Sequence, residues 1–277
     1  MPSFIHTESD LDTALEALGK ADARFIALLA EAGRPPLRRR SDGFAGLAAI
    51  IVAQQLSTAS ANAIWGRLAA AFDPLDATAI LRARPAKLAR LGLSAPKIRA
   101  LKAIAKAVER EELALSRLAA LAAEDAHAAL TAVRGIGPWT ADIYLLSCLG
   151  HADAWPAGDL ALQEAARVAF VLPVRPNAKD MQTLAEPWRP WRAVAARILW
   201  SYYRAAADAA KAAAAAAKAA KPAAKAAKPA AKAAKPARGV KRPRAAAPRV
   251  AKRTKPRAAA GRHRRKTPSG RGPARRH

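Results

Sequence analysis

One cysteine, Cys148, is all this 277-residue chain carries. A single thiol builds no disulfide framework within one chain and no four-cysteine iron–sulfur cluster, which excludes a disulfide-stapled scaffold and an iron–sulfur centre. Histidine is scarce too: five, at 6, 127, 151, 263 and 277, without metal-ligand spacing. No apolar run reaches membrane-spanning length free of charge, and Met1 to Asp10 lacks a basic segment leading into an apolar one. Neither a secretory leader nor a membrane anchor is expected, so the chain reads as soluble and cytoplasmic. Sustained apolar–polar alternation is also missing, which argues against half-buried strands. Acidic residues desert one end: beyond Asp208 there are 23 Lys or Arg and no Asp or Glu.

That last absence divides the chain. Residues 1–208 hold 25 basic and 21 acidic side chains, a net charge of +4, so the overall +27 belongs mostly to the end segment. The domain reading is a helical body, 1–207, followed by a Lys/Ala/Pro/Arg-rich tail, 208–277. The body is long enough to bury a sizeable core. In the tail, Ala212–Ala217 favours a few more helical turns. The unit Lys-Pro-Ala-Ala-Lys-Ala-Ala then repeats at 221–227 and 228–234, and its prolines should interrupt a helix. With little larger than alanine to bury, the tail is expected to be disordered. Its charge suits sequence-blind contact with DNA phosphates and association with the nucleoid.

Apolar spacing predicts helices throughout the body. Leu11, Leu15 and Leu18 share one face, and Phe25, Leu28 and Leu29 the next. Phe44, Leu47, Ile50, Ile51 and Val52 form another, ending at Gln54-Gln55-Leu56-Ser57, where Ser57 can cap the following helix. After Ser94, Ile98, Leu101, Ile104, Ala105 and Val108 point inward, leaving Lys97, Arg99, Lys102 and Lys106 mostly outward. A short helical stretch covers about 112–122. The run Arg38-Arg39-Arg40 reads as a solvated surface. The sum is an all-α body of many short helices in two lobes.

One stretch, Leu130–Ala141, has its own logic. It reads as a helix from about 125 to 132, a tight turn, and a second helix over 139–149. Gly135 and Gly137 permit positive φ and close backbone approach. Pro138 suits the first turn of a helix, and Ile136 can tuck between the two. The N–H groups of such a turn, with a helix start behind them, can hold a phosphate oxygen. Twenty residues after Trp139, Asp159 precedes Leu160, a good position for an N-cap. A carboxylate fixed there can also stabilise a positively charged sugar and align a water, as glycosidic cleavage through an oxocarbenium-like transition state requires. Five of the six tryptophans, 139, 155, 188, 191 and 200, lie between the hairpin and the last body helix. Singly each reads as core. Together they could wall a flipped base, and their electron-rich faces suit one that carries positive charge.

The hairpin, its spacing to Asp159, Ile51-Val52-Ala53-Gln54-Gln55-Leu56-Ser57, Leu91-Gly92-Leu93-Ser94 with Lys97, and Pro190-Trp191-Arg192 with Leu199-Trp200 occur in an order that resembles one family. It is the helix-hairpin-helix DNA glycosylase superfamily, and within it the bacterial 3-methyladenine DNA glycosylase II branch. The resemblance covers roughly residues 40–205. It implies that Asp159 is the catalytic carboxylate and that Trp139, Trp200 and Ile143 line the base pocket. Ile143 stands where some relatives have an aromatic residue. Gly135, Ile136, Gly137 and Thr140 would grip a phosphate, and Gln54 and Gln55 would sit on a loop that wedges into the duplex. The carbonyls of Val133 and Ile136 would hold a structural monovalent cation, K+ or Na+. No other cofactor is implied. Trp139 occupies the position of the nucleophilic lysine of bifunctional relatives, which implies hydrolysis without strand cleavage. The expected protein is a monomeric, monofunctional glycosylase that removes alkylated purines of the 3-methyladenine type from double-stranded DNA in base excision repair. Two other readings stay open on the sequence: a non-catalytic nucleoid or DNA-binding protein, and a glycosylase for another damaged base.

Overall fold

The computed structural model describes residues 4–226, with side chains through 218, and every regular element among them is helical. Two helices open the body, α1 (Glu8–Ala21) and α2 (Arg24–Ala32). Thr7 and Asp10 form a reciprocal capping box at the start of α1. Next comes α3 (Gly43–Ala53), apolar on all sides, with Phe44, Leu47, Ile50, Ile51 and Val52 buried. It is followed by α4 (Thr58–Ala71), α5 (Ala77–Arg82), α6 (Pro85–Arg90) and α7 (Ala95–Glu109). The hairpin helices are α8 (Ala123–Thr131) and α9 (Pro138–Tyr144), and α9 runs into a π-helical turn at Leu145–Leu149. The chain closes with α10 (Leu160–Ala169), α11 (Ala178–Ala185) and α12 (Arg192–Ala226).

These helices sort into two groups, the two lobes expected from the sequence. The chain's two ends make one: α12 packs on α10, α2 and α1. Its apolar stripe, including Val194, Ile198 and Leu199, is fully buried, and each such side chain contributes about 1.5–3 kcal/mol. The middle of the chain makes the other, with α3 at its centre touching α4, α7 and α9. Extended structure among the described residues is limited to an isolated bridge between Phe4 and His151. None of the described helices is long and apolar enough to cross a membrane.

Three expectations need correction. Lys97 and Lys102 do not point outward. Lys97 Nζ donates to the carbonyls of Val52 (2.7 Å) and Gln54 (2.8 Å), and Lys102 Nζ to those of Leu81 (2.8 Å) and Ala83. Lysine's long stem lets a helix that looks amphipathic lend its cations to unpaired helix-end carbonyls nearby. The stretch expected to be helical at about 112–122 is a 3₁₀ segment, Leu115–Ala120. The helical turns expected over Ala212–Ala217 are present, but α12 continues past Pro222 to Ala226, into the repeat expected to be disordered. Alanine pays no side-chain entropy in a helix, so the run after Asp208 extends it without needing a core. The remainder of that expectation, 227–277, lies outside the described residues.

Candidate active site

Asp159 ends a loop and caps α10. Its Oδ1 accepts the Leu162 backbone N–H at 2.7 Å, one of the donors a helix start leaves free. The same carboxylate receives two indole N–H groups from different helices. Trp139 Nε1, at the start of α9, donates to Oδ2 at 2.7 Å, and Trp200 Nε1, on α12, donates to Oδ1 at 3.3 Å. All three side chains are partly exposed. A half-buried carboxylate is thus fixed by three donors from three helices.

Of the five tryptophans grouped by sequence, the structure takes only these two to Asp159. Trp188 is fully buried and donates to Asp22, and Trp155 is buried and donates to the Met181 carbonyl (3.1 Å). Both are core. Trp191 is half-buried and packs against the core. Ile143 meets Trp200 in a cavity of about 230 Å³, also lined by Arg38, Arg40, Arg197 and Arg204. Trp139 lines a different cavity, of about 700 Å³, with Asp142, His127 and Trp155. Asp159 itself lines neither.

The hairpin turn justifies one of its glycines and leaves the other open. Gly135 has φ +103°, and a Cβ there would come 3.0 Å from both Cα and Cβ of Ala100. Gly137 does not need positive φ, contrary to expectation. It is an extended N-cap at φ −88°, and a Cβ there would meet nothing within 4 Å. The space in front of α9 is therefore clear. Thr140 is buried, and its hydroxyl accepts Gln54 Nε2 at 2.7 Å. That bond ties the glutamine loop to the hairpin, while Lys97 holds the loop's carbonyls from below. Beyond Gln54, Gln55 is exposed in the left-handed region (φ +56°), a strained conformation for a residue with a side chain. The Val133 carbonyl accepts the Ile136 N–H (3.1 Å) and no other backbone hydrogen bond among the described residues.

Four residues near this site belong to no motif picked out in the sequence. Arg38 and Arg40 are exposed, as the solvated-surface reading expects, and they also line the smaller cavity. Arg197 lies buried there, and its one signal was a lone cation inside the apolar run Ala193–Leu199. Asp142, one turn beyond Trp139, is pushed up to about 8 by burial and faces His127 Nε2 at 3.6 Å. Behind them Arg192 is buried and pairs with both oxygens of Asp153, at 2.7 and 2.8 Å, fixing the start of α12 and so the placement of Trp200.

Comparison with known proteins adds a family. Residues 48–190 match the model of the HhH-GPD superfamily base excision DNA repair protein. A probable bifunctional transcriptional activator/DNA repair enzyme of Mycobacterium tuberculosis is 32% identical over 72% of this chain, and this chain spans only 41% of that protein's length. A DNA-3-methyladenine glycosylase of Bacillus subtilis is 28% identical, over 71% of this chain and 70% of its own. The solved 3-methyladenine DNA glycosylase of Schizosaccharomyces pombe, in complex with abasic DNA, superposes with a TM-score of 0.62 at 28% identity, covering 68% of this chain and 95% of that one.

Proposed function

Because the chain belongs to the HhH-GPD superfamily of base excision DNA repair proteins, we propose that it is a DNA glycosylase for alkylated purines of the 3-methyladenine type, hydrolysing the N-glycosidic bond without cutting the strand. The observation that carries this reading is the Asp159 carboxylate, held at a helix start by two indole N–H groups and one backbone N–H.

In this reading the hairpin backbone from Gly135 to Thr140 grips a phosphate, and Gln54 and Gln55 enter the gap left when the damaged nucleotide swings out. The sugar C1′ then faces Asp159. As the C1′–N bond breaks, positive charge grows on the sugar, and a fixed carboxylate stabilises it with no reorganisation of its own. The base keeps the bonding electron pair, and water adds to C1′ and releases a proton to solvent. A base already cationic through methylation leaves as a neutral molecule, so no strong general acid is required. Trp139 stands where a Schiff-base lysine would be needed for strand cleavage, and an indole forms no such adduct. A monovalent cation, K+ or Na+, fits the Val133 and Ile136 carbonyls: one accepts a single backbone hydrogen bond, and the other accepts no backbone hydrogen bond among the described residues. Bound there, it would supply positive charge beside the gripped phosphate. The basic residues beyond Asp208 would add sequence-blind phosphate contacts.

The test is release of bases from methylated duplex DNA, identified by chromatography, with strand breakage followed in the same reactions. Methylated purines should appear without strand cleavage, and the Asp159→Asn variant should bind the DNA and release nothing. DNA binding with no base release by the wild type would leave a packaging protein as the better account.

A further inference from the structure

The run Arg38-Arg39-Arg40 has no part in the mechanism above, and the fold splits it. Arg39 is spent on the protein: its guanidinium donates to the Cys148 carbonyl at 2.8 Å and to that of Ile5 at 3.4 Å. Arg38 and Arg40, on either side of it, are exposed and line the cavity of about 230 Å³ that holds Ile143 and Trp200. Arg204, exposed and one turn beyond Trp200 on α12, lines it too. Among the described residues none of these three guanidiniums forms an ion pair, and no Asp or Glu lines the cavity. The segment that carries Arg38 and Arg40 is tied down on both sides. Buried Arg197 donates to the Leu37 carbonyl, and the Arg40 N–H donates to the Ser147 carbonyl at 2.8 Å. Between these ties Arg38 is held in the left-handed region, at φ +45°. Such strain in a residue with a side chain gathers at ligand sites, and like charges kept together repel one another. They also oppose a cationic base entering beside Trp200. An anion relieves both repulsions. DNA supplies one beside this cavity, because Trp200, which walls it, also donates to Asp159 (3.3 Å), the group the sugar faces. The hairpin grip lies elsewhere. Gly137 is at the start of α9, whereas Ser147, at the cavity, is ten residues and nearly three turns further on.

We propose that Arg38, Arg40 and Arg204 form a second phosphate grip, which seats the phosphodiester on the side of the flipped nucleotide away from the hairpin. This rests on the glycosylase reading and adds positioning residues to it. A strand held at one phosphate can pivot. Held on both sides, the nucleotide between is turned towards Asp159 and kept there. Guanidinium forks match phosphate oxygens in geometry and charge, and the contact carries no base information. With the phosphate seated, the arginine charge is neutralised, and the cavity no longer opposes a cationic base.

The experiment measures binding of the full chain to duplexes carrying a tetrahydrofuran abasic site, with an uncharged methylphosphonate replacing each phosphate near that site in turn. The triple variant Arg38→Gln, Arg40→Gln, Arg204→Gln is compared with the wild type. A control variant, Arg82→Gln, Arg84→Gln, Arg90→Gln, removes equal charge from three exposed arginines around a different cavity. In the wild type two positions should stand out, one held by the hairpin and one by the arginines, each neutralisation weakening binding about 10-fold. The triple variant should bind unmodified abasic DNA about 10-fold more weakly, lose about 0.9 from its salt slope, and become indifferent to the methylphosphonate at one of those two positions while still sensing the other. The control variant should sense both. A triple variant that still senses both positions, or a loss that the control variant matches, would show that the three arginines act only through general charge and would overturn the proposal. A wild type that prefers the abasic duplex and releases methylated bases, yet senses a single phosphate, overturns this proposal alone. A wild type that does neither sinks the glycosylase reading and takes this one with it.

Discussion

Replacing Asp159 by asparagine sets two hydrogen-bonding demands against each other, and their size follows from the geometry. The carboxylate accepts on both oxygens: Leu162 N–H (2.7 Å) and Trp200 (3.3 Å) on Oδ1, Trp139 (2.7 Å) on Oδ2. An asparagine has one acceptor. With its oxygen on the Oδ1 side it keeps the cap of α10, where Asn and Asp serve about equally well. Its NH₂ then meets the Trp139 N–H, donor against donor. The lost bond and stranded indole should cost about 1–3 kcal/mol. For a body of this size that is a fall in Tm of roughly 2–12 °C. Base release should fall more than about 100-fold, because the charge facing the sugar is gone. In a Trp139→Phe background the competing donor is absent, and Asp159→Asn should cost under about 1 kcal/mol of stability. Thermal and denaturant melts of the four proteins in this cycle measure the coupling, and single-turnover assays measure the chemistry. An equal stability cost in both backgrounds would refute the geometric argument. Undiminished base release by the asparagine variant would refute the chemical one.

Three further outcomes are expected. Asp142 ionises near 3.8 in the unfolded chain and near 8 when folded, because burial penalises its charge. Between those values the folded state binds the extra proton, so stability drains as pH rises, by at most about 1.4 kcal/mol per pH unit. Asp142→Asn should therefore match the wild type near pH 4 and melt progressively higher than it toward pH 8; a Tm gap independent of pH would contradict the burial. Arg192→Ala leaves Asp153 with Arg189 as its remaining partner and should cost about 1–3 kcal/mol in denaturant unfolding. A loss below about 1 kcal/mol would show the pair to be incidental. Truncation after Ala226 removes 19 basic residues. It should weaken binding to undamaged DNA and flatten its salt dependence while leaving single-turnover base release nearly intact, because phosphate contacts position without carrying the reaction.

Much of the body was legible because its signals are local. Ser57 and Asp159, both expected as caps, each cap a helix through their own side chains, and capping depends on residues only two or three apart. Gly135 announced a turn that needs φ +103° and room against Ala100. Other features were misread for want of a partner. Lys97 looks like any solvated cation on an amphipathic helix until α3 ends beneath it with two carbonyls to offer. The start of the repeat at 221 reads by composition as proline-broken and too poor in apolar side chains to order, whereas helix propensity carries α12 on to Ala226.

The order of residues along the chain decided the helices, the hairpin turn and the carboxylate at the head of α10, since propensity, capping and turn geometry act over a few neighbours. Which tryptophans meet that carboxylate was settled by packing. Trp155 and Trp188 went into the core, while Trp139 and Trp200, 61 positions apart, converged on it because α9, from the middle of the chain, and α12, the last body helix, both reach the start of α10. Contacts between distant segments have no signature in either segment alone, and the same holds for Arg197, whose surroundings exist only once Leu37 and Leu146 are folded against it.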